Sequence, residues 1–380
     1  MESLTKLHLH SCDLHTLPES LSQLTHLHTL VVSHNKLGTL PEVISKMESL
    51  TELHLQFCDL HTLPDSLSQL THLHTLYVSH NKLGTLPEVI SKMKSLTELH
   101  LQFCNLHTLP DSLSQPTHLH TLVVSHNKLG TLPEVISKME SLTKLYLDSC
   151  DLHTLPDSLS QLTHLHTLDV SHNKLGTLPE VIPKMKSLTE LHLQGCDLHA
   201  LPDSLSQLTH LHTLDVSWNK LGTLPEVIPK MESLTELHLQ FCDLHTLPDS
   251  LPQLTHLHTL VVSVNKLGTL PEVIPKMESL AELHLYGCDL HTLPDSLSQL
   301  THLHTLVVSG NKLETLPEVI PKMESLTELH LCGCHLHTLP DSLSQLAHLH
   351  TLDVSANKLE TLPEVIPKME SLAELNLHDW

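Results

Sequence analysis

Residues 27–49, LHTLVVSHNKLGTLPEVISKMES, form one copy of a 23-residue pattern that recurs along the whole chain. Numbered from its first leucine, each copy has apolar residues at positions 1, 4, 6, 11, 14, 18 and 21, asparagine or cysteine at position 9, and proline at position 15. Sixteen complete repeats fill residues 4–371, and a partial repeat covers residues 372–380. One copy is too short to bury its own apolar residues, so the pattern predicts stacked copies that share a continuous core.

Positions 3 to 7 of each repeat alternate in polarity, as in Thr29-Leu30-Val31-Val32-Ser33. Alternation with period two predicts a short strand in which Leu30 and Val32 point inward and the odd positions point outward. Strands of successive repeats are then expected to form one parallel sheet. In even-numbered repeats position 9 is an asparagine such as Asn35, whose amide we expect to bond backbone groups that a buried turn would leave unpaired.

In odd-numbered repeats position 9 is a cysteine such as Cys58, which we expect to be a small buried structural residue. Equivalent cysteines are two strand spacings apart, about 10 Å, which is too far for a disulfide. After each Leu-Pro an acidic residue predicts a short helical turn. From Pro183 onward the even-numbered repeats carry a second proline, which predicts 3₁₀ or irregular segments there because an α-helix interior does not accept proline.

The pattern LxxLxLxx(N/C)xLxxLPxx(L/I)xx(L/M)xx resembles the leucine-rich repeat family. It is especially similar to the intracellular 23-residue class found in Ras–RAF scaffold proteins, Scribble-type polarity scaffolds and plant Ras-group proteins. The resemblance implies an α/β solenoid, a horseshoe with a parallel concave sheet and short helical, 3₁₀ or irregular convex segments. It also implies a role in signalling, with a small GTPase or a phosphatase as partner.

Both ends of the sequence interrupt a repeat, since Met1-Glu2-Ser3-Leu4 matches the internal Met47-Glu48-Ser49-Leu50 and the last repeat stops at Trp380. We expect a single array over residues 1–380 with no separate caps. An open solenoid end exposes core leucines. The sequence therefore predicts a fragment of a longer array or an incomplete gene model.

The composition is acidic, with 20 basic residues, all of them lysine, against 43 acidic ones and a net charge of -23. Such a chain repels phosphate backbones, which excludes nucleic acid as a partner. No apolar stretch approaches the roughly 20 residues of a membrane span, and no signal peptide is present, so we expect no membrane insertion and a cytoplasmic location. Glutamates at position 3 make the strand face acidic and predict a partner with a basic contact surface.

The aromatic residues of the complete repeats all fall on positions expected on the concave face or its rim. They are Tyr77 and Tyr146 at position 5, Tyr286 at position 7, and Phe57, Phe103, Trp218 and Phe241 at position 8. Exposed aromatic residues are typical of binding hot spots. We therefore predict a protein-binding face with Trp218 and Phe241, in adjacent repeats, as its anchor. The alternative is neutral drift among near-identical repeats.

A second row, at position 5 of successive repeats, is expected to place Tyr146, Asp169, His192, Asp215 and His238 side by side. Such a row is able to hold a cation or to respond to pH, although exposed Asp–His pairs of no consequence are the simpler explanation. The other histidine columns have members about 10 Å apart, which cannot share one ion. We predict no metal and no cofactor.

Enzyme signatures are absent, because the sequence has no glycine-rich phosphate loop, no nucleophile elbow and no HExxH. The leading hypothesis is a non-catalytic scaffold that binds a protein partner on the concave face. The residues predicted to contact the partner are Phe57, Tyr77, Phe103, Tyr146, Asp169, His192, Asp215, Trp218, His238, Phe241 and Tyr286. One alternative is the ligand-sensing repeat region of an innate-immune or resistance-type receptor. The other is a metal-dependent hydrolase that uses Asp169, His192, Asp215 and His238.

Overall fold

The computed structural model describes residues 3–115 and 118–378. Met1 and Trp380, on which the expectation of a truncated array depends, lie outside the described residues. The chain packs as two compact units, an N-terminal unit Met1–His192 and a C-terminal unit Leu193–Trp380. The expectation of one uninterrupted domain without caps stays a prediction.

The N-terminal unit contains parallel strands in which each strand pairs with the next one in the sequence. They are β1 Lys6–His8, β2 Thr29–Val31, β3 Glu52–His54, β4 Thr75–Tyr77, β5 Glu98–His100, β6 Thr121–Val123, β7 Lys144–Tyr146, β8 Thr167–Asp169 and β9 Glu190–His192. The helices are α1 Glu42–Ser45, α2 Val89–Lys92 and the 3₁₀ segments Glu19–Gln23, Asp65–Gln69, Asp111–Ser114, Glu134–Lys138, Asp157–Gln161 and Ile182–Lys184.

The C-terminal unit repeats this arrangement with parallel pairing from each strand to the next. Its strands are β10 Thr213–Asp215, β11 Glu236–His238, β12 Thr259–Val261, β13 Glu282–His284, β14 Thr305–Val307, β15 Glu328–His330, β16 Thr351–Asp353 and β17 Glu374–Asn376. Its 3₁₀ segments are Asp203–Gln207, Ile228–Lys230, Leu251–Gln253, Ile274–Lys276, Asp295–Gln299, Ile320–Lys322, Asp341–Gln345 and Ile366–Lys368.

The strand register follows the repeat, because residues 23 apart are partners, as in Leu30 opposite Leu53. Both leucines are fully buried, as is Val32. The predicted inward positions are therefore confirmed, and with them the predicted α/β architecture of parallel strands that alternate with short helical and 3₁₀ segments. Ladders of buried leucines supply the apolar burial that stabilises each unit.

The asparagine at position 9 closes the turn that follows each even-numbered strand. Asn81 accepts backbone N–H bonds from Cys58 at 3.1 Å and Leu60 at 2.9 Å. Its amide nitrogen donates to the carbonyls of Leu55 at 2.8 Å and Val78 at 2.7 Å. The predicted asparagine ladder is confirmed, and one side chain satisfies four backbone groups that would otherwise be buried without partners.

The cysteines at position 9 of the odd-numbered repeats are buried in the same ladder from Cys58 onward, whereas Cys12 is exposed. The Cys58 thiol donates to the carbonyl of Val32 at 3.2 Å. Burial raises the pKa of Cys58 to about 11. A protonated, buried thiol is unreactive, which agrees with the structural role predicted for these residues.

Prolines lie before or within the short segments opposite the strands. Pro18 and Pro64 each precede a 3₁₀ segment that begins with an acidic residue. In repeats with the second proline the segment is also 3₁₀, with Pro183 inside Ile182–Lys184. The 3₁₀ conformation predicted for the second-proline segments is therefore confirmed. The short α-helices α1 and α2 occur in even-numbered repeats that lack this second proline, although Glu134–Lys138, which also lacks it, is 3₁₀.

Candidate binding surface on the strand face

The backbone at position 8 is left-handed in every complete repeat, with φ between 50° and 66°. At this point the chain leaves the strand, and the N–H still bonds the next repeat, as from His34 to the carbonyl of Gln56 at 2.8 Å. A left-handed conformation costs a non-glycine residue about 1–2 kcal/mol. The side chains at position 8, here called the position-8 row, therefore occupy sites that glycine would fill most easily.

In the N-terminal unit the position-8 row forms a continuous stack of five aromatic rings, which we call the ring column. Its successive members are His34, Phe57, His80, Phe103 and His126. Their centroids are 4.3, 4.0, 4.3 and 4.1 Å apart, and the ring planes are within 15° of parallel. This spacing is close to the distance between strands, so the parallel sheet itself sets the stacking distance.

A second stack runs beside the ring column at position 5, where Tyr77 lies between His54 and His100. Both centroid distances are 4.3 Å. The imidazole of His54 bonds Glu52 at 2.8 Å, and Glu98 lies 3.7 Å from His100. Burial raises the pKa of Tyr77, with further increases from Glu52 and Glu98. We call these three rings the Tyr77 stack.

A depression of about 830 Å³ lies along the two stacks. Position 7 contributes polar residues to its lining, and Ser33 donates to Gln56 at 2.5 Å. Ser79 makes the same bond to Gln102. The depression thus combines ring edges with paired hydroxyl and amide groups, a combination that is common in protein-binding surfaces.

One end of this depression is lined by the seventh repeat, which departs from the other odd-numbered repeats of the depression at all three outward positions. Where they have glutamate, histidine and glutamine, it has Lys144, Tyr146 and Asp148. The Asp148 carboxylate lies 3.2 Å from the His126 imidazole, the last ring of the column. At this end a lysine therefore replaces the acidic residue at position 3, and an aspartate replaces the neutral glutamine at position 7.

The C-terminal unit presents a shorter aromatic group in the same row. Trp218 and Phe241 stack at a centroid distance of 3.8 Å and are 51% and 37% exposed. The predicted adjacency and exposure of this pair are confirmed. Tyr286 is also 51% exposed, and its ring lies so close to Gly310 that an added Cβ would meet it at 2.8 Å.

The row of aspartates and histidines is placed in part as expected. Asp169 is the strand partner of His192 in the N-terminal unit, and Asp215 is the partner of His238 in the C-terminal unit. Each aspartate accepts a backbone N–H at 2.9 Å, from Ser171 and Ser217 respectively. Residues 3–115 and 118–378 contain no group of three or more histidines, cysteines or acidic residues arranged to hold a metal ion.

Of the residues predicted to bind a partner, the structure brings Phe57, Tyr77, Phe103 and Tyr146 together around the depression. Trp218 and Phe241 form a separate pair. His34, His80 and His126 were not among the predicted binding residues, because histidine occupies position 8 only in every second repeat here and these histidines are about 10 Å apart. The missing signal was the alternation of histidine and phenylalanine at position 8 of consecutive repeats.

Ion pairs connect neighbouring repeats at position 10, as in Lys36–Asp13 at 2.8 Å and Lys82–Asp59 at 2.7 Å. The lysine lowers the pKa of Asp13 through a hydrogen bond and its charge. These pairs are well exposed, so they contribute little to stability.

In the part of the chain that the structure describes, no helix has the length and apolar character of a membrane span.

Family models for leucine-rich repeats match much of the chain. The model of a leucine-rich repeat region matches residues 104–221 and 154–267, a second repeat model matches residues 2–60 and 324–379, and a third matches residues 72–93. A search of curated protein sequences finds no significant match.

Solved structures resemble the chain over most of its length. A leucine-rich repeat protein of Leptospira interrogans is 29% identical with a TM-score of 0.72, over 98% of this chain and 96% of that one. The plant peptide hormone receptor RGFR1, in complex with RGF2, is 25% identical with a TM-score of 0.61, over 99% and 74%. The functional domain of InlJ from Listeria monocytogenes, which includes a cysteine ladder, shares the fold at 24% identity and a TM-score of 0.57, over 93% and 69%.

Leucine-rich repeat proteins are in general non-catalytic modules that bind protein partners. The repeat, the parallel strands in 23-residue register and the matching models and structures lead to one conclusion. The chain belongs to the leucine-rich repeat family.

Proposed function

We propose that this chain is a non-catalytic scaffold that binds a protein partner on its strand face. The main contact is the ring column together with the Tyr77 stack, a combination here called the aromatic surface. The pair Trp218 and Phe241 is a second contact region. Tyr146, Asp169, His192, Asp215, His238 and Tyr286 belong to the same proposed strand face.

The observation that carries this proposal is the exposure of large rings at left-handed positions. Phe57 and Phe103 are both 43% exposed at φ of 55°. Elsewhere in the chain the same position is occupied by Gly195 or Gly287, which adopt this φ without strain. Exposed rings in a costly conformation are not needed by the fold, whereas exposed aromatic clusters are typical binding hot spots.

The acidic charge of the chain indicates the charge of the partner's contact surface. A net charge of -23, with Glu52 and Glu98 beside the Tyr77 stack, favours a partner with a basic contact surface, because complementary potentials steer encounter. We further propose a cytoplasmic role in signalling, with a small GTPase or a phosphatase as partner. The support for this step is the resemblance of the repeat to the intracellular scaffold class.

A second candidate is a ligand-sensing repeat region of a receptor. It is favoured by the similarity to RGFR1, a plant peptide hormone receptor whose structure was determined in complex with RGF2. The depression beside the ring column crosses several strands, which suits an extended peptide. The two candidates differ in the form of the partner, since a peptide ligand would bind without a folded domain around it.

The test is a variant that removes both phenylalanines of the ring column but preserves the backbone. Phe57→Gly together with Phe103→Gly installs the residue that the chain already has at Gly195 and Gly287. Wild type and variant are used for cross-linking capture, and the captured partner is then purified and titrated against both. We expect the variant to fold and to bind at least 10-fold more weakly, as for the loss of a hot spot of about 2 kcal/mol.

Trp218→Gly with Phe241→Gly is the matched variant in the C-terminal unit, and we expect it to weaken binding by a smaller factor. A partner whose affinity is unchanged by both double variants would refute the strand face as the docking site. Competition by a synthetic peptide from the partner would favour the receptor-type candidate over the scaffold.

A further inference from the structure

The ring column shows how the position-8 row holds a planar group between two histidines. Phe57 lies between His34 and His80, with ring centroids 4.3 and 4.0 Å away. Phe103 lies in the same way between His80 and His126, at 4.3 and 4.1 Å. Histidines on alternate strands are about 10 Å apart, so the space between them accommodates one stacked ring. Each phenylalanine fills one such space.

The row continues beyond His126, but the next repeat contributes no ring. Ser149 stands at position 8 of the seventh repeat, and His172 stands at position 8 of the eighth. These three residues share the left-handed backbone of the row, with φ of 56°, 55° and 53°. The repeats stay paired at this level, because the N–H of Ser149 bonds the carbonyl of Ser171 at 2.9 Å. The backbone therefore provides a third space between two histidines, with a serine where the other two have phenylalanine.

We call the space over Ser149, between the positions of His126 and His172, the open slot. A serine side chain is much shorter than the phenylalanine ring that fills the equivalent spaces. Ser149 is half-buried, whereas both histidines are exposed. The open slot therefore has room for one planar group that comes from outside the chain.

The residue beside the open slot is acidic. In the two filled spaces the residue before the phenylalanine is a glutamine, Gln56 or Gln102, which accepts the hydroxyl proton of a serine in the preceding repeat. Before Ser149 it is Asp148, whose carboxylate lies 3.2 Å from Nε2 of His126. Lysines at position 10 border all three spaces alike, so the carboxylate of Asp148 is the charge beside the open slot that sets it apart.

The serine that faces Asp148 provides a second observation. Ser125 is 3% exposed, and in residues 3–115 and 118–378 its hydroxyl has no hydrogen-bond partner. Its counterparts Ser33 and Ser79 both donate to a glutamine. A buried hydroxyl without a partner is destabilising. The fold itself therefore gains nothing from an aspartate that is turned toward His126 at the open slot.

We propose that the open slot binds an arginine side chain of the protein partner, with its guanidinium between His126 and His172 and its N–H groups bonded to Asp148. This step rests on the proposed function and names one contact of that partner. A guanidinium is planar, stacks on aromatic rings and pairs with a carboxylate, whereas a lysine ammonium is not planar and a neutral ring would leave the aspartate unpaired. Lys144 stands five residues before Ser149, about 16 Å along an extended chain, where its charge is largely screened.

The test uses the full chain and N-acetyl-arginine amide, a probe with one guanidinium and no other charge. Histidine-labelled protein is titrated at about pH 8, where histidine is ordinarily neutral, and followed by NMR. Comparison with His126→Gln and His172→Gln assigns the two signals. We expect both signals to shift together, with an affinity in about the millimolar range. N-acetyl-lysine amide and N-acetyl-phenylalanine amide should bind more weakly by roughly 5-fold or more.

The chain supplies a residue that closes the slot. Ser149→Phe installs the side chain that the row already has at Phe57, with the same φ of 55°. It should fold and lose binding of the arginine probe. The matched control is Ser11→Phe, which makes the same substitution at position 8 beside His34, at the other end of the ring column. This control leaves the slot open and should keep the wild-type affinity. Circular dichroism checks that both variants are folded.

Asp148→Gln tests whether the occupant is a cation, because it restores the residue of the filled spaces. It should weaken binding of the arginine probe by roughly 10-fold and leave binding of the phenylalanine probe unchanged. Arginine binding that survives Ser149→Phe would overturn the proposal, as would the absence of any shift of the two histidines. Tighter binding of the phenylalanine probe, unaffected by Asp148→Gln, would overturn it in favour of a neutral ring. None of these measurements requires the protein partner, so their failure is separate from a failure of the proposed function.

Discussion

The position-8 row differs between the two units although its backbone is the same. In the N-terminal unit five consecutive members are the rings of the ring column. In the C-terminal unit the row begins with Gly195, Trp218 and Phe241 and later contains Gly287, Gly310 and Gly333. Every one of these residues has a positive φ. The fold therefore dictates the left-handed backbone, and it does not dictate the ring.

This difference shows that the buried and the exposed positions of one repeat have separate roles. The buried positions form a common frame, since the asparagine bonds of Asn81 in the N-terminal unit recur at Asn265 in the C-terminal unit with distances within 0.1 Å of each other. The exposed positions are free to change, because a change there leaves the frame intact. Mutations in the frame should then have equal effects in both units, and mutations in the row should not.

The largest effect is expected in the frame. Asn81→Ala leaves two backbone N–H groups and two carbonyls of the buried turn without this partner, which should lower the free energy of unfolding by about 3–5 kcal/mol. Asn265→Ala removes the same four bonds in the C-terminal unit and should cost a similar amount. Urea unfolding followed by circular dichroism measures both values. A difference between them of more than about 1.5 kcal/mol would contradict a common frame.

The second-largest effect on stability distinguishes the position-8 row of the N-terminal unit from that of the C-terminal unit. Val264 is a β-branched residue at φ of 53° with no ring stack, so Val264→Gly should stabilise the chain by about 1–2 kcal/mol. Phe103 has a similar φ but stacks between His80 and His126, so Phe103→Gly loses about as much stacking energy as it gains in backbone freedom. Its net effect should be below about 1 kcal/mol. Thermal and urea unfolding of both variants tests the contrast, which fails if Phe103→Gly stabilises as much as Val264→Gly.

A smaller effect is expected where the row has lost its side chains. Gly310→Ala introduces a Cβ that would meet Cε2 of Tyr286 at 2.8 Å, in addition to the left-handed strain. Gly268 has a similar φ of 66° and nothing within 4 Å of an added Cβ, so Gly268→Ala isolates the strain alone. Gly268→Ala should lose about 1 kcal/mol, and Gly310→Ala should lose at least as much, because the ring of Tyr286 must also move. Only Gly310→Ala should also shift the ring resonances of Tyr286. Unchanged Tyr286 resonances would show that the ring does not cover Gly310.

The frame of buried positions was predictable from the sequence, because it depends on the spacing of residues within one repeat. Inward Leu30, the amide bonds of Asn35 and the 3₁₀ segment at Pro183 all follow from polarity, hydrogen-bonding capacity and proline geometry within one repeat. The pairing of Trp218 with Phe241 also followed, since residues 23 apart become neighbours on adjacent strands. Local rules were sufficient for each of these features.

The ring column was not predicted as a unit, because its rings belong to two residue types in alternate repeats. His34, His80 and His126 alone are about 10 Å apart, and only the phenylalanines between them complete a continuous stack. The left-handed φ at position 8 was also missed, since residues such as Trp218 and Val264 are not those that normally indicate such a turn. Both features become visible only when each repeat is compared with its immediate neighbour.

The smallest expected effect concerns pH and should again be equal in the two units. Burial lowers the pKa of His100 and of His284, while Glu98 and Glu282 oppose that shift. An unfolded histidine has a pKa of about 6.5, so below this pH the unfolded chain binds protons more readily than the folded one. The stabilising contribution is thus complete above about pH 6.5 and decreases as the pH falls toward the lowered pKa of the folded state.

His100→Tyr and His284→Tyr remove these groups and install the residue that the chain has at the equivalent Tyr146. The urea midpoint of each variant should fall less than that of wild type between pH 7 and pH 5.5. His26→Ser, at an exposed site, should follow the wild type. Parallel pH dependence in all four proteins would mean that burial of position 5 does not affect protonation. A reduced dependence in only one of the tyrosine variants would show instead that the two units differ in their frame as well as in their position-8 row.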